Sequence, residues 1–319
     1  MKVLIVTNMY PDATRPYNGI FVAEQVAAIE RFHPDVHTEV CFIDGKKGKM
    51  EYLRSVRYVN QLIRKGEFDL VHIHFGLSGM YLLSPFKQKV PTVVTFHGSD
   101  IQPKGGNGWL TIHLSQYVAK KADVCLTLND YMDAIVKHYN RNTFVVPCSV
   151  DMNLFKPMNC RKQGNGIKII FPCNRSMWVK DYPLFESVIK MLRTQYGIAC
   201  ESLTMENLSR QQVAELMNTA NLLLMTSHAE GSPQAVKEAL ACNLPVVSTP
   251  VGDVNELLKG VKDCYVAKTR QTEELATLVV QSLQRNGCGM TGRERLKQLH
   301  LDPQSVGDKI YNIYEQSIH

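Results

Sequence analysis

Short apolar segments of β type alternate with helical segments along almost the whole of this 319-residue chain. In the first half, the apolar segments are Val3–Val6, Glu39–Ile43, Leu70–His74, Thr92–Phe96, Val124–Leu128 and Thr143–Val146. Helical patterns lie between them, for example over Ile20–Arg31 and Tyr117–Lys121. Apolar strands separated by helices are typical of a parallel sheet that is covered by helices on both faces. The sequence therefore predicts an α/β fold.

The alternation is interrupted once, after Val150. The segment from Phe155 to Gly166 is polar, contains Gly and Pro, and is typical of a linker. Beyond it, strands are predicted over Lys168–Phe171, Asn221–Met225 and Pro245–Ser248, and helices over Gln211–Asn218, Pro233–Ala241 and Glu273–Leu283. We therefore predict two Rossmann-like, doubly wound parallel-sheet domains, residues 1–152 and 153–302, with a cleft between them. A C-terminal helix over about 303–319 is expected to pack back on the first domain, and ligands are expected beyond the carboxyl ends of the strands.

Composition and missing motifs exclude several classes of protein. No segment reaches the ~18–20 apolar residues of a membrane span, and the run Val3–Val6 is too short for the core of a signal peptide. We therefore expect a cytoplasmic protein. The nine cysteines include no C-x-x-C pair, which favours reduced thiols over disulfides or a zinc site. Neither G-x-G-x-x-G nor a P-loop occurs, so dehydrogenase and NTPase functions lose their main support.

The most informative motif lies late in the chain, where Glu230 and Glu238 flank a predicted helix start. Ser232 is expected to cap this helix and Pro233 to occupy its first position. The free backbone N–H groups near Gln234 and Ala235 would then bind an anion, while the two carboxylates accept hydrogen bonds from hydroxyl groups. A nucleotide-sugar combines a diphosphate with hydroxyl-rich rings. Taken singly, each glutamate is more simply explained as a solvated surface residue.

Three further groups of residues follow predicted strands or open a helix. Arg175 and Lys180 follow the first strand of the second domain, where a guanidinium fork and an ammonium suit phosphate oxygens. His97, in Thr95-Phe96-His97-Gly98-Ser99-Asp100, follows a strand of the first domain. His72 and His74 alternate on the preceding strand, and without a clear third ligand we interpret them as buried, hydrogen-bonded residues instead of metal ligands. Gly19 opens a helix, where the lack of a side chain suits the approach of a phosphate.

The segment 46–65 is strongly basic and carries an apolar stripe. The net charge of +6 is also compatible with anionic partners. This segment is either an ordinary solvated helix or a surface for anionic membranes. Nucleic acid is not an expected partner, because aromatic residues are not interleaved with the charges and no binding motif is present.

These motifs together resemble the family 4 glycosyltransferases, which have the GT-B fold of two Rossmann-like domains. The resemblance extends over nearly the full chain. The specific matches are the glutamate pair within S-H-A-E-G-S-P-Q-A-V-K-E-A-L, the basic pair, T-F-H-G-S-D, and V-V-P-C-S-V-D-M-N-L-F-K-P. The segments N-M-Y-P-D and Y-N-G-I-F-V-A-E-Q resemble bacterial enzymes of capsular or cell-wall polysaccharide synthesis.

The resemblance implies a role for each residue. Glu238 would bind the ribose of a nucleoside-diphosphate sugar, with UDP or GDP as its nucleotide. Arg175 and Lys180 would hold the diphosphate, His97 and Glu230 would lie near the donor sugar, and Gly19 would let its loop approach the phosphates. Ser232, Pro233, Gln234 and Ala235 complete the substrate-binding set. Family members retain the anomeric configuration and generally need no metal or other cofactor.

The chain departs from the family pattern at three places. Asn174 replaces a usual Gly, Cys148-Ser149 replaces Asn-Gly, and the region 191–205, where a strand and a base-recognising loop lie in relatives, is short. The acceptor expected is a saccharide or lipid-linked saccharide hydroxyl, at the inner face of a membrane. Two alternatives remain open: a sugar-nucleotide epimerase of the same fold, and a non-catalytic scaffold of glycan synthesis.

Overall fold

Parallel strands form the sheet of the first structural unit. The computed structural model describes residues 1–15, 17–86, 89–103, 108–158 and 166–318. Within these residues the first unit comprises Met1–Ser149 with Pro303–His319, and the second comprises Val150–Asp302. The elements of the first unit up to its last strand are β1 (Lys2–Thr7), α1 (Ile20–Phe32), β2 (His37–Phe42), α2 (Met50–Gly66), β3 (Leu70–His74), β4 (Thr92–Thr95), α3 (Trp109–Lys121), β5 (Val124–Thr127), α4 (Asp130–Lys137) and β6 (Thr143–Val145).

The order of the first sheet is β2-β1-β3-β4-β5-β6, and every pair is parallel. The central strands β3, β4 and β5 are buried along their whole length, as expected for strands with helices on both faces. The chain leaves β1 toward β2 and returns on the other side of β1 as β3. Loops that follow strands near such a reversal point away from each other and leave room for a ligand.

The second unit has a parallel sheet of the same kind. Its order is β11-β10-β9-β7-β8, so the reversal lies between β7 and β9. Its elements are β7 (Ile167–Phe171), α5 (Tyr182–Thr194), β8 (Cys200–Thr204), α6 (Arg210–Thr219), β9 (Leu222–Met225), α7 (Gln234–Ala241), β10 (Val246–Ser248), α8 (Val254–Leu258), β11 (Tyr265–Val266), α9 (Thr272–Leu283) and α10 (Gly292–Gln298).

The last helix, α11 (Pro303–Ile318), belongs to the first unit, where it packs against α1. Tyr314 is fully buried and its hydroxyl lies 2.5 Å from His72 Nδ1 on β3. Asp308 lies 2.9 Å from His33 Nε2, just after α1. A buried phenol that finds a hydrogen-bond partner avoids the cost of an unsatisfied polar group.

The predicted linker is wrong at its first residue, because the side chain of Phe155 is fully buried in the core of the second unit. Residues 159–165 of that segment lie outside the described residues. Cys200–Thr204 was not predicted as a strand. It is an edge strand with an exposed Glu201, so it lacks a continuous apolar run. The basic segment 46–65 forms most of α2, together with the short 3-10 turn Gly45–Lys47 before it.

Candidate functional site

Two loops meet at the reversal point of the second sheet. One follows β7 and carries Lys180, and the other follows β9 and carries Glu230, because β7 and β9 are neighbours in the same sheet. The loops are joined by backbone contacts. The N–H of His228 donates to the carbonyl of Val179 at 2.7 Å, and the hydroxyl of Thr226 donates to the carbonyl of Lys180 at 3.0 Å. Charged side chains from both loops are therefore held close together.

The carboxylate of Glu230 accepts two hydrogen bonds on one oxygen. Lys180 Nζ lies 2.6 Å and Ser227 Oγ lies 2.7 Å from Glu230 Oε1. The Lys180 and Glu230 side chains are only 20% and 12% exposed. Burial by itself disfavours the ammonium, but the charge and hydrogen bond of Glu230 outweigh it and raise the pKa of Lys180. Lys180 is therefore a permanent cation at neutral pH.

Glu238 is paired with an arginine that the sequence did not single out. Its side chain is 3% exposed on the second turn of α7, and its carboxylate forms an ion pair with Arg210 at the start of α6. The Arg210 guanidinium also lies 4.6 Å from the ring centroid of Phe155. Glu238 is thus a buried, charge-paired carboxylate and not the solvated residue of the simpler interpretation. No motif marked Arg210, since a lone basic residue at a helix start is common.

The start of α7 differs from the prediction. Ser232 is not the N-cap and Pro233 is not the first helical residue, because α7 begins at Gln234 with Pro233 as its N-cap. The Ser232 hydroxyl instead donates to Asp253 Oδ2 at 2.6 Å. Burial raises the pKa of Asp253, against the opposing influence of the Lys237 ammonium and the Ser232 hydrogen bond. The helix still presents its first N–H groups at Gln234 and its neighbours, as an anion site requires.

A glycine contact holds the loop before α7 in place. Gly252 has φ of +54°, and a Cβ there would lie 2.4 Å from the carbonyl oxygen of Gly231. A side chain at this position would therefore both strain the backbone and displace the loop that carries Glu230.

Arg175 and Asn174 lie in the loop after β7. Arg175 is exposed, and its guanidinium carbon lies 5.1 Å from the ring centroid of Tyr182. Asn174, which stands where the family usually has Gly, donates a hydrogen bond from Nδ2 to Glu206 Oε1 at 2.6 Å. Asn174 therefore has a structural partner. Arg175 therefore keeps its donors available to an anion while its position is set by the aromatic ring.

Asp181 is a second residue that sequence reasoning missed. It caps α5 by accepting from the N–H of Leu184, pairs with Arg270, and lies 3.3 Å from His228 Nε2. Arg270 also donates to the carbonyl of Ser227. The partners lie far apart in the chain, so no local pattern could reveal this network, which ties the loops after β7, β9 and β11 together.

In the first unit, His97 follows β4 beside the end of β3. Its Nε2 lies 3.2 Å from His74 Nδ1. Asp100 Oδ1 accepts the backbone N–H of His97 at 3.0 Å, and Asp100 Oδ2 accepts that of Gly76 at 2.9 Å. Burial lowers the pKa of His97 to about 3, and it raises the pKa of Asp100 to about 6 despite these N–H donors. His97 is therefore neutral over the physiological range.

The two strand histidines are buried, as their interpretation from the sequence required. His72 and His74 are both inaccessible to solvent. His72 lies 2.7 Å from the hydroxyl of Thr95 in addition to its contact with Tyr314. No group of side chains suited to hold a metal ion occurs among the described residues.

Gly19 is the N-cap of α1, with φ of +64°. A Cβ at this position would lie 2.3 Å from backbone atoms of Met9. The close approach of two backbone segments therefore already explains the glycine, and its role toward a phosphate stays a prediction. Among the described helices none is both long enough and apolar enough to cross a membrane.

Comparison with known proteins agrees with this architecture. The profile of Glycosyltransferase Family 4 matches residues 2–154, and the profile of Glycosyl transferases group 1 matches residues 190–285. The putative teichuronic acid biosynthesis glycosyltransferase TuaC of Bacillus subtilis is 22% identical over an alignment 349 positions long, and the alignment covers 88% of this chain and 89% of TuaC. N-acetyl-alpha-D-glucosaminyl L-malate synthase of Bacillus anthracis is 21% identical over 293 residues, with 80% and 75% coverage.

Solved structures share the fold over the whole chain. Sucrose-phosphate synthase of Thermosynechococcus elongatus superposes with a TM-score of 0.80 at 15% identity, covering 99% of this chain and 98% of the other. Anabaena HepE in complex with UDP and glucose gives a TM-score of 0.74 at 15% identity, with 99% and 100% coverage. With its two parallel-sheet α/β domains, this chain belongs to the family 4 glycosyltransferases of the GT-B fold.

Proposed function

We propose that this glycosyltransferase moves a sugar from a UDP- or GDP-sugar to a hydroxyl of a saccharide or lipid-linked saccharide, with retention and without a metal. The observation that carries this proposal is the pair of ion pairs at one edge of the second sheet. Lys180 is held by Glu230 and Arg210 by Glu238, and Arg175 lies in the same loop as Lys180, against the ring of Tyr182. Such a concentration of paired charges at the carboxyl ends of strands suits a ligand with both phosphates and hydroxyls.

The donor would be bound through its diphosphate and its ribose. Glu238, buried and carrying a carboxylate at the second turn of α7, is suited to accept hydrogen bonds from the two ribose hydroxyls. The diphosphate would lie against the N-terminus of α7, with Arg175 and Lys180 as cations. HepE was solved with UDP and with UDP-glucose, which favours a uridine nucleotide here as well.

In the transfer step, the bond from the anomeric carbon to the diphosphate oxygen breaks and a bond to the acceptor oxygen forms on the same face. The acceptor proton passes to the departing phosphate. Negative charge grows on the phosphate oxygens, where Arg175 and Lys180 would stabilise it. Glu230 is a poor nucleophile for a covalent intermediate, because Lys180 and Ser227 both donate to its Oε1.

The acceptor belongs to surface polysaccharide synthesis in this proposal. TuaC, named for teichuronic acid biosynthesis, supports this assignment. The α2 helix offers a surface for an anionic membrane: Leu53, Arg57 and Arg64 line one groove with Phe86, and Leu53 and Phe86 are 54% and 79% exposed. Flotation with vesicles that contain anionic lipid, compared with zwitterionic vesicles, tests this. Loss of flotation in an Arg57→Glu/Arg64→Glu variant supports it, and equal recovery from both vesicle types removes it.

One experiment separates the proposal from its two alternatives. The protein is incubated in EDTA with UDP- and GDP-sugars, with and without a mixture of saccharide acceptors, and the products are identified by NMR. Acceptor-dependent release of nucleoside diphosphate with an unchanged anomeric configuration supports the proposal. An altered nucleotide-sugar in the absence of acceptor indicates an epimerase. Donor binding without any turnover indicates a scaffold.

A further inference from the structure

Two imidazole rings contact each other through their nitrogens in the first unit. His74 is the last residue of β3, and His97 follows β4, the next strand of the sheet. His74 Nδ1 and His97 Nε2 are 3.2 Å apart, the ring centroids are 5.4 Å apart, and the ring planes differ by 24°. With the centroids this far apart and the two nitrogens only 3.2 Å apart, the rings approach each other through these nitrogens, as in an N–H···N hydrogen bond.

The His97 ring has little freedom to turn away from this partner. The ring of Phe21 lies 4.9 Å from it, inclined at 48°. The backbone N–H groups of His97 and Gly98 both donate to Asp100 Oδ1 at 3.0 Å. Phe75, which joins His74 to the segment held by Asp100, has φ of +75°, a conformation that a phenylalanine adopts only at a cost. The surroundings therefore hold both rings.

The direction of the hydrogen bond follows from the other nitrogen of His74. His74 Nε2 is buried and has no hydrogen-bond partner among the residues that the structure describes. If Nε2 carried the proton, a buried N–H donor would be left unsatisfied, which costs about 1–3 kcal/mol. Buried donors without partners are rarer than under-used acceptors. The proton of His74 is therefore on Nδ1, and His74 donates to His97 Nε2.

Both rings are neutral, so the pair shares two protons and not three. Burial lowers the pKa of His74 well below its ordinary value and that of His97 to about 3. A neutral His97 that accepts at Nε2 must carry its proton on Nδ1. That nitrogen makes no hydrogen bond with any described residue, and His97 is half-buried.

We infer that His74 is a positioning residue that fixes His97 as the Nδ1–H tautomer, so that His97 offers a ligand beyond the end of β4 a hydrogen-bond donor and not a base. The lone pair at Nε2 is occupied by His74, and Nδ1 has no lone pair to take a proton. This consequence for transfer rests on the proposed function, in which the departing phosphate takes the acceptor proton. The tautomer itself is a property of the free protein and does not depend on that function.

Nitrogen NMR of the full-length protein tests the tautomer directly. Histidine is labelled with ¹⁵N, and the His97 signals are assigned by their loss in a His97→Gln variant. The inference predicts a pyridine-type shift at Nε2 and a pyrrole-type shift at Nδ1 near pH 7. The opposite pattern, or averaged shifts at both nitrogens, overturns it, whatever the enzyme transfers.

Two substitutions of His74 separate positioning from simple packing. Asn places an N–H donor where His74 Nδ1 lies, so His74→Asn is expected to keep the His97 shifts and to retain activity within about threefold. His74→Leu keeps the bulk but has no donor. The His97 shifts are then expected to average, and kcat for acceptor-dependent transfer to fall about 10–100-fold, the range seen when a group that orients a metal-bound histidine is lost.

The exposed His138, at the end of α4 in the same unit, supplies the control, and His138→Leu is expected to leave both readouts unchanged. Unchanged His97 shifts in His74→Leu would overturn the inference. If His74→Leu does not fold, the His97 shifts of the wild type and of His74→Asn still test the inference. If the wild-type protein shows the predicted His97 shifts but has no transferase activity, the proposed function is refuted and the inference about the tautomer stands.

Discussion

Removing Arg210 while leaving Glu238 in place should destabilise the second unit strongly. The Glu238 side chain is 3% exposed and forms an ion pair with Arg210, whose side chain is 22% exposed. Breaking a buried pair by removing one partner costs about 3–5 kcal/mol, because an uncompensated charge remains. Because Arg210 is partly exposed, we expect Arg210→Met to lower the unfolding free energy by about 3 kcal/mol, the lower end of this range. For a unit of this size that corresponds to a decrease in Tm of about 6–12 °C.

The assay can follow the second unit alone. The chain has two tryptophans, Trp109 in the first unit and Trp178 in the second, so a Trp109→Phe background leaves Trp178 as the reporter. Urea unfolding of this protein followed by Trp178 fluorescence gives the free energy of the second unit. Lys190→Met, which removes an exposed cation of α5 in the same unit, is the control and should change this free energy by less than about 0.5 kcal/mol.

A double variant distinguishes a lost ion pair from lost packing. Arg210→Met/Glu238→Met removes both charges, and replacing a whole buried pair by apolar residues is often neutral. The unfolding free energy of the double variant should therefore exceed the value expected from adding the two single effects by at least about 2 kcal/mol. A cost below about 1 kcal/mol for Arg210→Met, or additive effects, would refute the reasoning.

Three further outcomes are expected. Lys180→Ala should lower kcat/KM about 10²–10³-fold with its circular dichroism unchanged. Lys190→Ala, on an exposed face of α5, should match the wild type. A loss of kcat/KM within twofold in Lys180→Ala would contradict the role of Lys180 as a cation for the phosphates. Gly252→Ala should lower Tm and donor affinity in calorimetry, because its φ is +54° and its Cβ would lie 2.4 Å from a loop oxygen, while Gly260→Ala, with its nearest neighbour at 3.6 Å, should affect only stability. Burial lowers the pKa of His72 to about 3, so the folded state binds fewer protons than the unfolded state below pH 6.5, and unfolding free energy should fall by about 1.4 kcal/mol per pH unit from this residue as pH decreases. Urea unfolding at pH 7.5 and 5.5 checks this, and an equal slope in His72→Asn would contradict it.

Much of the fold could be predicted because buried parallel strands have a strong sequence signal. Leu70–His74 is apolar or buried along its length, and its predicted and observed bounds coincide. The strands that were missed lie at sheet edges. Cys200–Thr204 pairs only with β7, and Tyr265–Val266 is two residues long, so neither needs an apolar run.

The proximity of candidate site residues could be predicted where they lie in one motif or at the ends of neighbouring strands. Glu230 and Lys180 meet because the strands before them are adjacent, which the α/β pattern favours. Arg210 and Arg270 could not be found, since their partners are 28 and 89 residues away and no local pattern joins them. Ser232 was assigned to the wrong partner because a distant carboxylate, Asp253, takes its hydroxyl.

Nucleotide binding in EDTA tests the central claim most directly. Thermal unfolding of the wild type is measured with UDP, GDP, ADP and CMP, each with EDTA or with magnesium. We expect one nucleoside diphosphate to stabilise the protein in EDTA by about 2.7 kcal/mol at 100 times its Kd, a Tm increase of about 5–10 °C. The increase should be lost in Glu238→Gln and kept in Glu186→Gln, an exposed residue of α5. If no nucleotide stabilises the protein, or if Glu238→Gln responds as the wild type does, the donor site is not the one described.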